Sequence, residues 1–208
     1  RRRPAGRRES GVASCGPVAP SSALLLALTS SVALAAGHYV NDGTAANDVV
    51  LPGCSTAPLG VDVAGCGACA NPCRTPNFLY ASAPLAPGDI VYLNAGTYTA
   101  ATAVPVLNLN IIAKSGTATA PITFRGVSGP GGAPLTLFDG NGIATAGVSI
   151  QTPWVSIENI AATNFACTGT MPPYGSGIHV AASPIEGVGL LNLEVYGTSC
   201  PFGAPIDF

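Results

Sequence analysis

Two glutamates, Glu158 and Glu194, close the matching segments Val155-Ser156-Ile157-Glu158 and Leu191-Asn192-Leu193-Glu194, 36 residues apart. If Ile157 and Leu193 face a core, strand alternation turns both carboxylates outward on neighbouring layers of a repeating fold. Like charges so placed repel unless a proton or cation intervenes, which is the chemistry of an acid/base pair or a calcium site. Solvent screening of two flexible side chains is the plainer alternative. His179, flanked by Ile178 and Val180, also turns outward and carries the side chain suited to proton transfer near neutral pH. Asp139 offers oxygen ligands in Asp139-Gly140-Asn141-Gly142, although this stretch lacks the acidic spacing of a calcium loop and reads as a turn. Glu158, Glu194 and His179 are therefore the candidate substrate-binding residues, and Asp139, Glu158 and Glu194 the candidate calcium ligands. No residue is assigned as catalytic.

Cysteine chemistry points to an oxidising compartment. Beyond residue 35 the cysteines are Cys54, Cys66, Cys69, Cys73, Cys167 and Cys200, an even set of the kind that forms disulfides outside the cytosol. The first four, clustered around Cys66-Gly67-Ala68-Cys69 and Asn71-Pro72-Cys73, pair among themselves in connectivities that spacing leaves open. Zinc or iron–sulfur ligation is the rival reading of that cluster.

Export is also written into the N-terminus. Arg1, Arg2, Arg3, Arg7 and Arg8 precede the apolar run from Ala23 to Leu28, and Ala33-Leu34-Ala35 follows, the order of a cleavable signal segment over residues 1–35. The apolar run is too short for a membrane span, which needs roughly 20 such residues, so no span is expected in the mature chain. Removing this segment leaves Arg74, Lys114 and Arg125 against nine acidic residues. A chain with so few cations cannot displace counterions from a phosphate backbone, and nucleic acid is excluded as a partner.

The elements that would position these groups are short strands. Of 208 residues 48% are hydrophobic and only 9% charged, and 26 glycines and 19 prolines punctuate short aliphatic runs. Strand candidates recur from Ile90-Val91-Tyr92-Leu93 through Ile122-Thr123-Phe124 and Val148-Ser149-Ile150 to Ile178-His179-Val180, with no sustained helical period. Gly147-Val148-Ser149-Ile150, Gly177-Ile178-His179-Val180 and Gly203-Ala204-Pro205-Ile206 repeat at offsets of 30 and 26 residues, interleaved with the glutamate pattern. One unit holding several strands accounts for both series, which favours an all-β parallel β-helix over a β-sandwich. Stacking at about 4.8 Å would bring Cys167 and Cys200, 33 residues apart, within disulfide reach. The domain plan is a targeting segment over 1–35, a strand, Cys-rich insertion and cap over 36–88, and β-helix coils over 89–208. The closing Pro205-Ile206-Asp207-Phe208 reads as the start of another strand, so a continuation is expected.

Pro87-Gly88-Asp89-Ile90-Val91-Tyr92-Leu93, followed by Ala95-Gly96-Thr97-Tyr98, resembles the opening of bacterial right-handed parallel β-helix proteins of the pectate-lyase-like superfamily. Lys114 to Gly126, Phe138-Asp139-Gly140-Asn141-Gly142 and His38-Tyr39-Val40-Asn41-Asp42-Gly43 are similar to further landmarks of that group, so the resemblance covers residues 38 to 208. It implies a secreted protein that binds or degrades extracellular polysaccharide. If it is an enzyme, a polysaccharide lyase or glycoside hydrolase is implied, possible calcium included, with most catalytic residues beyond Phe208. The alternative is a non-catalytic extracellular adhesin or surface-display β-helix. Lys114 and Arg125 sit in turns and strand ends common to the superfamily and define no active site.

Overall fold

Residues without helical periodicity but rich in β-branched side chains bury their apolar surface by stacking strands, and this chain does so repeatedly. The computed structural model describes residues 35–166, 175–181, 186–197 and 206–207. Among them are β1 (Gly37–Val40), α1 (Pro76–Ser82), β2 (Ile90–Leu93), β3 (Gly96–Thr99), β4 (Leu107–Leu109), β5 (Ile122–Arg125), β6 (Thr136–Asp139), β7 (Ala146–Ile150), β8 (Val155–Thr163), β9 (Ser176–Val180), β10 (Gly189–Tyr196) and β11 (Ile206–Asp207). Every pairing between these strands is parallel.

The pairings form three ladders that the chain visits in turn. The first runs β1-β2-β5-β8-β10, the second β3-β6-β8-β10 and the third β4-β7-β9-β11. In the first, Ile90 lies opposite Thr123, Thr123 opposite Ser156 and Ser156 opposite Gly189, each step being 33 residues. This register corrects two sequence expectations. The glutamate pattern proposed a 36-residue step, yet Glu158 faces Leu191 and Glu194 faces Ala161. Ile206 pairs with Ile178 rather than Val180, two residues off the alignment that the Gly-x-x-aliphatic pattern suggested. Short motifs of one apolar–polar alternation recur at several frames, and only the ladder selects one. Cys167 and Cys200, and the disulfide expected between them, lie outside the described residues, as does Gly203.

β8 and β10 each serve two ladders because they bend midway. Asn159 and Asn192 sit at the bends with φ of 57° and 52°, a left-handed conformation that asparagine tolerates better than branched residues. Asn192 Nδ2 donates to Asn159 Oδ1 at 2.9 Å, so the two amides stack across layers. One layer below, the place is taken by Gly126, where an added Cβ would lie 2.2 Å from the Asn159 carbonyl oxygen. Replacing Asn159 with alanine removes the amide bond and forces alanine into the left-handed region. We expect a loss of about 1–2 kcal/mol in urea unfolding, and a change of a few tenths would refute the role.

Inside, like side chains stack in columns. Val91, Phe124, Ile157 and Leu190 share one inward register position, and Tyr98, Phe138, Ala162 and Val195 another. Leu107, Val148, Ile178 and Ile206 make the third. Phe124 and Phe138 are fully buried, and the Tyr98 and Phe138 rings meet edge to face at 5.8 Å. The repeating glycines have a packing reason here. A Cβ at Gly177 would fall 2.4 Å from the methyl groups of Val195, and one at Gly147 would fall 2.6 Å from the Gly177 carbonyl.

The first layer would expose unpaired strand edges, and the chain covers two of them itself. Against β1, the Cys-rich segment pairs its backbone: Tyr39 N–H donates to Gly67 O, Cys73 N–H to Tyr39 O and Asn41 N–H to Cys73 O. The disulfides are Cys54–Cys69 and Cys66–Cys73, which leaves none of these four as a thiolate for metal. Against β4 lies α1, which starts at the Thr75 N-cap with Pro76 in its first turn. Asn77 Oδ1 accepts from Asn108 N–H, and Asn77 Nδ2 donates to the Pro105 carbonyl at 2.8 Å, so one side-chain amide stands in for a strand. Lys114 Nζ donates to the carbonyls of Tyr80, Ala81 and Ala83 and so closes the C-terminal end of α1. Asp89, nearly buried, accepts from the N–H groups of Ala36 and Ala86, both at 2.8 Å, and locks the entry to β2.

Candidate functional site

Side chains that alternate out of the core form rows on the outer surface, one per register position. On the first ladder such a row reads Tyr39, Tyr92, Arg125, Glu158 and Leu191 from β1 to β10. Strand spacing of about 4.8 Å sets the distance between successive members. The Tyr39 and Tyr92 rings stack at 5.5 Å and 16°, and the Tyr39 hydroxyl donates to the Pro52 carbonyl at 2.9 Å. Arg125 Nε lies 2.6 Å from Glu158 Oε2, with the arginine side chain 40% exposed and the glutamate 14%. Ser156 Oγ donates to the other carboxylate oxygen at 3.2 Å.

The electrostatics follow from this geometry. The hydrogen bond to Glu158 raises the Arg125 pKa above its ordinary value, burial opposing it. Desolvation, with Tyr92 close by, raises that of Tyr39. The row thus offers an aromatic stack, a fixed cation and a fixed anion in line on a rigid face.

The sequence candidates fall in different places. Glu158 belongs to this row, but its partner is Arg125 and not Glu194. The two glutamates are separated by the asparagine bend, Glu158 preceding Asn159 on the first ladder and Glu194 following Asn192 on the second, where it is exposed. The expectation of stacked, mutually repelling carboxylates is overturned by this register. Asp139 ends β6, and its Oδ1 accepts from Asn141 N–H at 2.8 Å and Asn164 Nδ2 at 3.0 Å, the bonds of a turn. Asp139, Glu158 and Glu194 are not brought together, and among the described residues no group of three or more His, Cys, Asp or Glu is arranged so that it could hold a metal ion. His179 stands half-buried on the third ladder, at the register position shared by Asn108, Ser149 and Asp207. Ser149 is 4% exposed there.

Sequence reading missed Tyr39 and Tyr92 as site residues. Tyr92 sits between the inward aliphatics Val91 and Leu93, which is the signal for an outward aromatic, whereas Tyr39, between His38 and Val40, carries only half of it. The 53-residue step between them, swollen by the Cys-rich insertion, hides their alignment. No helix among the described residues is long and apolar enough to cross a membrane. No protein-family description matches the chain, and no curated protein is significantly similar to it.

Proposed function

We propose that the chain is an exported right-handed parallel β-helix protein, of the pectate-lyase-like kind, that binds extracellular polysaccharide on the outer face of its first ladder. Three parallel ladders visited in rotation support the solenoid reading, and parallel crossovers are right-handed in about 98% of cases. Two disulfides in the cap support export. The observation that carries the binding site is the row Tyr39, Tyr92, Arg125 and Glu158. Its layer spacing is close to the length of one sugar ring in an extended glycan, and it combines aromatic surface with planar hydrogen-bonding groups.

The test is to titrate the protein with a panel of acidic and neutral polysaccharides, with and without a calcium chelator, while following heat and unsaturated-sugar absorbance. We expect saturable binding that Tyr92→Ala weakens about tenfold, as loss of a well-placed aromatic contact does. Absence of binding to every polymer would end the proposal. Release of unsaturated product would add lyase activity. Binding without product selects the adhesin or surface-display alternative. That alternative draws support from the Arg125–Glu158 pair, which leaves neither side chain uncommitted for substrate neutralisation or proton abstraction.

A further inference from the structure

The first layer has three strand edges, and only two are closed by backbone or amide pairing. Toward β6, the N–H groups of Gly96 and Ala100 donate to Leu135 and Asp139. Strand alternation therefore aims the N–H and carbonyl groups of Thr97 and Thr99 the other way, at the free edge of β3. Asp42 Oδ2 takes the Thr97 N–H at 2.9 Å. Nothing among the described residues takes the Thr99 N–H or either carbonyl.

This edge opens into a groove of about 540 Å³, lined among others by Asp42, Asp62, Arg74, Thr97 and Thr99. The size suits a short extended ligand. Both carboxylates are held in place by hydrogen bonds from neutral donors, and neither pairs with Arg74. Asp42 also accepts from the N–H and hydroxyl of Thr44, and Asp62 accepts from Arg74 N–H, Thr75 N–H and the Thr75 hydroxyl. The exposed Arg74 guanidinium, whose Nε passes over Gly43, forms no ion pair or hydrogen bond among the described residues. The groove therefore presents a strand's alternating donor and acceptors together with one cation that has no ion-pair partner among the described residues.

We infer that this groove receives an extended peptide, which adds as a strand to the free edge of β3 and places a carboxylate against Arg74. Backbone alternation at Thr97 and Thr99 selects a peptide over a glycan, because only a peptide returns the same alternation. The free cation selects a carboxylate-bearing end. This site stands apart from the polysaccharide row on the first ladder, and neither depends on the other.

The experiment is a titration of ¹⁵N-labelled protein with acetyl-Thr-Val-Thr-Val bearing a free C-terminal carboxylate, compared with the same peptide as its amide and with a uronic acid trisaccharide. We expect the Thr99 amide signal to shift at millimolar peptide, and the acid to bind about fivefold more tightly than the amide, as for an exposed ion pair. Arg74→Gln, at an exposed site, should abolish that preference without lowering the melting temperature. Thr99→Pro removes only an outward N–H, which an edge strand tolerates, and should weaken both peptides about fivefold. No shift at Thr99, equal binding of acid and amide, or shifts caused by the trisaccharide alone would each overturn the inference.

Discussion

Phe124→Ala is expected to lower the unfolding free energy by about 3–5 kcal/mol, the usual range for deleting a buried phenyl ring. Phe124 has no exposed surface and is the second of four side chains in the column Val91, Phe124, Ile157 and Leu190. Its ring also meets Tyr80 of α1 edge to face at 6.0 Å, so the truncation loosens the cap as well as the interior. The layers above and below are fixed by backbone ladders and cannot collapse into the space, which keeps the cost near the upper part of the range. Urea unfolding followed by far-ultraviolet dichroism checks this. A loss below about 1.5 kcal/mol would mean that the column relaxes, contrary to close packing.

The second large effect concerns the cap disulfides. Cys54–Cys69 and Cys66–Cys73 close loops of 15 and 7 residues, and chain-entropy reasoning assigns about 2–3 kcal/mol to each. Cys66→Ser with Cys73→Ser is expected to remove that amount and to free the segment that pairs with Tyr39 and Asn41. β1 would then present an open edge, and the variant should self-associate in light scattering at concentrations where the parent stays monodisperse. Equal stability with no association would show that the backbone bonds hold the segment without the covalent tie. Reducing the parent protein should reproduce the phenotype.

How much of this was legible beforehand depended on the kind of signal. Strand character was plain at Ile90–Leu93, Ile122–Phe124 and Val148–Ile150 because aliphatic positions alternate and glycine or proline bounds them. Repetition at about 30 residues was legible too, through Gly147 and Gly177, since backbone crowding by Gly177 O and Val195 admits no side chain there. The frame was not legible. Glu158 and Glu194 look equivalent in four-residue windows, yet one precedes its asparagine bend and the other follows it. Nothing in Asn159-Ile160-Ala161-Ala162 announces that a strand continues past a left-handed residue into a second ladder. The aliphatic-rich stretch from Val106 to Ile112 shows no break in sequence, whereas ladder pairing holds only Leu107–Leu109 and a 3₁₀ turn follows at Ile112–Lys114. At the site, an outward tyrosine in one strand carries little information. Its meaning comes from a second tyrosine 53 positions away, across an insertion of uneven length.

The bends at Asn159 and Asn192 make β8 and β10 common to two walls, so neither wall can come apart while the other stays zipped. In a mechanical picture, they are shared struts, and a pull on one face is borne by its neighbour. Such bracing lets layers that hold each other only weakly resist sliding past one another, because a slip in one wall must be matched in the next.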